Sequence, residues 1–277
     1  MGYLYLLLAA FLWGLIGPVS RLAFQEGLTP LAVAFFRAGI AWVFFGLHAL
    51  LLRQVRVERR DALPLLLFGL VGVSLFYGSY QLAVVYGGAA LASVLLYTAP
   101  AWVALLSLVV LKESLDRTGL LAVALTLLGV GLMGVGGGSG VRVLSLALFF
   151  GLLSGFTYAL YYIFGKLYLP RYATPTLFLY ALPVGALGLL PWVEFAPLSP
   201  RAMEALLFLG VFSTYGAYLA YYAGLKRLPA TRASVVATLE PVVANLFAFL
   251  LFREVLSLWA YLGAGLVLLA VVLTVRR

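Results

Sequence analysis

Residues 90–113 read ALASVLLYTAPAWVALLSLVVLKE, and residues 231–254 read TRASVVATLEPVVANLFAFLLFRE. The first stretch carries no charge before Lys112-Glu113. At about 1.5 Å of rise per residue, its apolar part matches a hydrocarbon core of about 30 Å. The second stretch is the first again, 141 residues later. Ala92-Ser93-Val94 falls on Ala233-Ser234-Val235, Pro100 on Pro241, and Lys112-Glu113 on Arg253-Glu254. The same offset puts Gly14 on Gly155, Gly69 on Gly210, Tyr77 on Tyr218 and Tyr80 on Tyr221. Shared hydrophobicity alone does not sustain an ungapped match across more than a hundred positions. The chain reads as two copies of one set of membrane-crossing helices.

Outward from these stretches, hydrophobic runs broken by charge, Pro or Gly give ten crossings: 3–23, 30–52, 63–86, 90–111, 118–136, 143–167, 174–192, 203–225, 231–252 and 256–275. Composition agrees. Of 277 residues 65% are hydrophobic and 10% charged, and mean hydropathy is +1.13. A soluble chain needs about 25% charged residues for a water-facing surface. The expected fold class is an all-α polytopic membrane protein with ten transmembrane helices. Each half has five, an odd number, so the second is inserted upside down: a first repeat over 1–136, a Gly-rich linker over 137–142 and a second repeat over 143–277. Gly136-Gly137-Gly138-Ser139-Gly140 lacks the Lys partner and the strand–helix context of a phosphate cradle. Such halves can exchange conformations around one central site, which is the basis of alternating access.

Orientation follows from Lys and Arg in alternate loops. Thirteen, from Arg53 through Arg232 to Arg276 and Arg277, fall on one side, against Arg21, Arg142, Arg201 and Arg253 on the other. Both termini are therefore expected in the cytoplasm. The same bias explains the net charge of +9 without nucleic acid, since no basic run is longer than a pair such as Arg59-Arg60. The apolar run from Tyr3 exceeds a signal-peptide core and reads as a retained first helix. No cysteine and one histidine leave no thiolate chemistry and no His/Cys metal site. Neither cofactor nor metal is expected.

Arg37 and Glu240 are the ionisable groups deep inside crossings. A charge at bilayer depth costs at least about 2.5–3.5 kcal/mol and seldom faces lipid. Arg37 lies about 10 Å from one end of its helix and Glu240 about 14 Å from the opposite end of its own. In a core of about 30 Å their depths differ by about 6 Å, a gap a guanidinium can bridge. Packing alone is the competing role for each. Pro100 and Pro241 remove backbone donors mid-span, free the carbonyls of Leu96 and Ala237, and bend their helices, as at transport sites; Pro18 and Pro183 read as plain kinks. Aromatic candidates for a cavity wall are Trp13, Tyr77, Tyr97 and Tyr158, with Gln81 beside them; Tyr80, Tyr218, Tyr221 and Tyr222 divide between lining and packing. Tyr3, Tyr5, Tyr168 and Tyr172 are expected at the membrane interface, His48 near a helix end, and Asn245 in a helix–helix hydrogen bond.

The order and spacing of several short motifs resemble a known family. Leu12-Trp13-Gly14 with Arg21, Thr29-Pro30 with Arg37, and Tyr97-Thr98-Ala99-Pro100 before Lys112-Glu113 resemble the first EamA repeat. Leu239-Glu240-Pro241-Val242 before Arg253-Glu254 and Gly263 resembles the second. Over its whole length the chain resembles the ten-helix transporters of the drug/metabolite transporter superfamily. The resemblance implies a bacterial inner-membrane exporter of amino acids or related metabolites, as in YddG-like aromatic amino acid exporters. Aligning Thr29-Pro30 with Thr174-Pro175 puts Leu182 opposite Arg37, so the two halves differ in charge.

The expected function is secondary transport, not catalysis: export of aromatic or hydrophobic amino acids, or of related metabolites, through a central cavity. The expected partners are a small-molecule substrate and the lipid bilayer, with the chain acting as a monomer. Export of cationic drugs or amines is the alternative within the class. An intramembrane transferase would need acids or histidines clustered at one membrane face, and a channel would need a polar stripe along several helices.

Overall fold

The computed structural model describes residues 1–134, 144–253 and 257–276. The linker 137–142, with Ser139 and Arg142, lies outside the described residues, as does Glu254 of the repeated Arg-Glu pair. Among the described residues every regular element is helical. Ten segments are long and apolar enough to cross a membrane: Gly2–Gln25, Pro30–Leu51, Arg59–Ala89, Leu91–Leu111, Arg117–Gly134, Ser145–Tyr168, Thr174–Trp192, Pro200–Leu225, Ala230–Phe252 and Leu258–Val275. We number them spans 1–10. The chain is a multi-pass membrane protein.

Local chemistry sets the span ends. Thr29 accepts from the Ala32 amide and Ser199 from the Ala202 amide, each ahead of a proline at the first helical position. The side-chain oxygen satisfies an orphan amide, and proline has no amide to leave unsatisfied. Span 3 begins at Arg59, ahead of the apolar run, because the charged turn is itself helical. Its Asp61 accepts from Arg171 at 2.6 Å and from the Tyr172 hydroxyl at 2.6 Å. Tyr172, at this span end, is buried and joins the loop after span 6 to span 3. Between spans 3 and 4 the chain reverses at Gly88, whose φ of 78° is a conformation open mainly to glycine.

Span ends meet in two groups. On the face of the termini, Tyr3 donates to the Thr274 carbonyl, Lys166 pairs with Glu113 at 3.6 Å, and Glu113 accepts from the Ala230 amide at 2.9 Å. On the opposite face, Ser199 donates to Glu26 at 2.7 Å and the Arg21 guanidinium lies over the Phe252 ring. Both groups link the first half of the chain to the second.

Spans 4 and 9 are interrupted at the prolines expected to break them. Span 4 stops at Leu96 and restarts at Ala99; span 9 stops at Ala237 and restarts at Glu240. Pro100 and Pro241 each occupy the first turn of a new helix, so their missing amides cost no hydrogen bond there. Pro18 behaves likewise, since span 1 breaks at Leu15 and restarts at Ile16. Pro183 sits inside a continuous helix. Spans 3 and 8 each contain a π-helical turn, Gly69–Leu75 and Val211–Gly216. Lys112 and Arg253 close spans 4 and 9 in the left-handed region, at φ 56° and 57°. The breaks of spans 4 and 9, the π turns of spans 3 and 8 and the left-handed closures recur in the two halves; the span 1 break does not, since span 6 is one continuous helix from Leu144 to Tyr168.

Span 5 packs along span 10, span 2 along span 7, and span 1 along span 8, while the Phe76–Leu96 helix packs on span 6. Close approach needs glycine at the breaks. A Cβ on Gly14 would meet the Val243 side chain at 2.6 Å and the Glu240 carbonyl at 2.9 Å. One on Gly155 would meet the Leu95 carbonyl and Thr98 Oγ1, both at 2.7 Å.

Candidate functional site

Helix interruption and aromatic content together produce a cavity. Where spans 4 and 9 break, their backbones stop filling the centre of the bundle, and side chains of spans 1, 2, 3, 6 and 8 surround the gap. The cavity has a volume of about 480 Å³ and is lined by Trp13, Arg37, Tyr77, Gln81, Tyr97, Tyr158, Glu240 and Pro241. The structure thus brings together all seven expected binding residues and one of the two expected break prolines. Pro100 is buried in the span 4 joint and does not line it.

Glu240 is the first residue of the helix Glu240–Phe252. The break in span 9 therefore places a carboxylate at the positive end of a helix dipole, where anions are favoured. Its Oε2 accepts from the Tyr158 hydroxyl at 3.4 Å, and the Tyr97 hydroxyl also reaches it. Ala99, the equivalent position of the other half, carries no charge. Arg37 lies across the cavity from this carboxylate. Its Nε donates to Thr214 Oγ1 at 3.1 Å, and its guanidinium lies over the Tyr77 ring at 5.3 Å. Arg37 and Glu240 do not form a salt bridge with each other: a neutral hydroxyl holds the arginine, and the space a bridge would occupy belongs to the cavity.

The aromatic walls form a connected cluster. Trp13 meets Tyr158 edge-on at 6.4 Å and Tyr218 at 5.8 Å, and Phe76 stacks on Tyr158 at 5.4 Å. Tyr221 and Tyr222 are fully buried packing residues, whereas Tyr80 and Tyr218 line the cavity. The cavity runs from this centre to Ser20, Phe24, Pro30 and Leu31, at the ends of spans 1 and 2 farthest from the termini. Toward the terminal face it is sealed. There Tyr161, Tyr162, Tyr221 and Tyr222 are buried, Phe178 stacks on Tyr218 at 4.6 Å, and Phe68 on Phe164 at 3.9 Å.

Several residues in and around the cavity escape sequence reading. Phe76 and Ser20 sit in runs whose other members are equally apolar or small. Asn245, expected to bond a neighbouring helix, lines the cavity without a hydrogen bond to the protein. His48 pairs with the Tyr215 hydroxyl at 2.9 Å. Thr214 was detectable in principle, as one of two adjacent hydroxyls in the middle of span 8. No group of acids and histidines that could hold a metal ion occurs among the described residues.

One cation, one anion and an aromatic wall around a small space suit a zwitterion with an apolar side chain. If Trp13 contacts that side chain, Trp13→Ala is expected to weaken substrate binding about tenfold, the scale of one lost aromatic contact surface. Binding to detergent-purified protein, normalised to the monodisperse fraction, measures it. Loss of folded protein with unchanged affinity in the remainder would assign Trp13 to packing.

The profile of the EamA-like transporter family matches residues 1–135 and again residues 145–276. An uncharacterized transporter of Archaeoglobus fulgidus is 30% identical over 99% of both chains. An uncharacterized inner membrane transporter of Salmonella typhimurium, YicL, is 29% identical over 98% of this chain and 94% of its own length. A solved crystal structure superposes with a TM-score of 0.85 over 99% of this chain and 96% of its own, at 17% identity. That degree of identity speaks to the fold alone.

Proposed function

The chain belongs to the EamA-like transporter family, and from that premise we propose that it exports small amphipathic zwitterions, aromatic and hydrophobic amino acids first among them, by alternating access. The observation that carries this reading is the placement of Arg37 and Glu240 on one aromatic-walled cavity without a salt bridge between them. A substrate carboxylate has Arg37 as its partner and a substrate ammonium has Glu240. The aromatic wall takes the side chain. Each charge of the substrate then replaces its hydration with an opposite charge in a low-dielectric site, and the apolar part leaves water.

The two halves are inverted repeats in this proposal. In its support, the span 4 and span 9 breaks, the paired π turns and the left-handed Lys112 and Arg253 all recur about 141 residues apart. Two halves of opposite orientation give two conformations of similar energy around one site. With the basic residues marking the cytoplasm, the present arrangement is outward-facing: the cavity reaches the external side and the aromatic cluster closes the cytoplasmic side. Fusions that read location are expected to report cytoplasm near Arg59 and at the C-terminus, and exterior at Ser139. A C-terminus read as external would remove both the inversion and the outward-facing assignment.

A second reading, export of cationic amines, is favoured by Glu240 with its two tyrosine hydroxyls. Proteoliposome transport separates the two. A panel of amino acids, amines and nucleobases, with and without a pH gradient, should show amino acids moving faster than amines of equal side chain. Transport of amines alone would select the second reading.

A further inference from the structure

Arg37 is 6% exposed, and what remains accessible faces the cavity. Its side chain is fixed from two directions. Nε is bound by Thr214 Oγ1, and one face of the guanidinium lies over Tyr77. Neither terminal nitrogen has a protein partner, and neither is sealed from solvent. Two donors in a rigid fork are therefore held at the cavity wall, the geometry that matches a carboxylate with two parallel hydrogen bonds.

Thr214 can do this because of where the chain is π-helical. Its hydroxyl donates to the Leu209 carbonyl, five residues back, at 2.8 Å. An α-helical threonine makes such a bond three or four residues back; the π turn Val211–Gly216 moves the acceptor one position further. With its proton committed to Leu209, the hydroxyl has only lone pairs for Arg37. It is locked as an acceptor, and the donor edge of the guanidinium is left to the cavity.

The other half has the turn without the chemistry. Gly69–Leu75 is also π-helical, but the position 141 residues before Thr214 is Val73, buried and packed against Gly185 of span 7. Leu182, the counterpart of Arg37 by the Thr-Pro alignment, is buried in the apolar core. A π turn needed only for packing would not require a hydroxyl at this place. The Arg37–Thr214 pair joins span 2 of the first half to span 8 of the second, and the pair that the repeat relates to it, Leu182 of span 7 and Val73 of span 3, is apolar on both sides.

We propose that Thr214 is a positioning residue for Arg37, and that the Thr214–Arg37 pair forms a carboxylate subsite that gives the cavity its selectivity for amino acids over the corresponding amines. This rests on the amphipathic-substrate reading above and deepens it. Thr214 acts through Arg37 and touches no substrate itself.

The test measures binding of radiolabelled phenylalanine and of phenethylamine, its decarboxylated counterpart, to the purified full-length chain. Wild type is expected to prefer phenylalanine. Thr214→Val, isosteric but without the acceptor, should lose about tenfold or more in phenylalanine affinity, the scale of a hydrogen bond to a charged group. Its phenethylamine affinity should stay within about twofold, so the preference collapses. Thr214→Ser restores it. Ser213→Ala is the control, because the neighbouring hydroxyl is buried without a partner. Should Thr214→Val not fold, Thr214→Ala removes the same acceptor and should give the same collapse. A Thr214 variant that binds both ligands more weakly in equal proportion, or discriminates as wild type does, overturns the proposal alone. Wild type that binds neither ligand overturns the substrate reading and this proposal with it.

Discussion

Glu240→Gln is expected to reach the membrane in wild-type amounts and to lose about thirtyfold or more in transport of amine-bearing substrates. The substitution keeps the shape of the side chain, and an amide oxygen can still accept from Tyr158 and Tyr97. It removes the charge proposed to meet a substrate ammonium inside the bilayer. Truncating one member of a desolvated charge pair costs about 2 kcal/mol or more, which is about thirtyfold in affinity. Neutral analogues should lose far less. The helix dipole acts on the folded state as well: a carboxylate at the start of Glu240–Phe252 contributes about 0.3–1 kcal/mol, so Gln lowers stability slightly and does not unfold the chain. Initial transport rates into proteoliposomes, for a matched pair of amine and neutral substrates, give the answer. Equal rates in wild type and Glu240→Gln across that pair would leave Glu240 as a packing residue.

Gly155→Val is expected to abolish the folded protein outright. The two nearest obstacles to a side chain there are the Leu95 carbonyl and Thr98 Oγ1, and both belong to the joint where span 4 is interrupted. A flexible side chain could swing away; a backbone carbonyl at a helix break cannot move without moving both helix segments. Overpacking of a close-packed site costs about 1–3 kcal/mol and more where relaxation is blocked, against a total stability of about 5–15 kcal/mol. Gly14→Val meets Val243 and the Glu240 carbonyl at the matching joint of span 9 and is expected to be damaging for the same reason. Gly78→Ala is the control, since nothing lies within 4 Å of the added carbon. The yield of monodisperse protein after detergent extraction distinguishes them. Wild-type yield of Gly155→Val would mean that spans 4 and 6 do not pack this closely.

These expectations draw on two kinds of information. The ten crossings, the depth of Arg37 and Glu240 and the recurrence of Pro100 at Pro241 are legible in the sequence. The bilayer makes them so: a crossing must be about 20 apolar residues long, and a charge inside it is costly enough to stand out without knowledge of its neighbours. The near-identical bounds of spans 2 and 7 before and after folding, 30–52 against Pro30–Leu51 and 174–192 against Thr174–Trp192, follow from that local rule. The resemblance to the family rested on motifs of this kind, and the match of its profile to both halves agrees with them.

Which face of each helix turns inward was decided only by tertiary structure. In water an apolar stripe marks the buried side of a helix, but in lipid the outer face is as apolar as the inner one and the stripe disappears. Tyr158 lines the cavity while Tyr161 and Tyr162, one turn later on the same helix, seal its floor, and composition treats the three alike. Asn245 faces the cavity instead of a helix for the same reason. The π turns add a second obstacle, because one extra residue in a turn rotates everything after it by about 100°. The π turn Val211–Gly216 holds Thr214, whose hydroxyl meets Arg37 across the packing of span 2 on span 8, a contact that no spacing along the chain reveals.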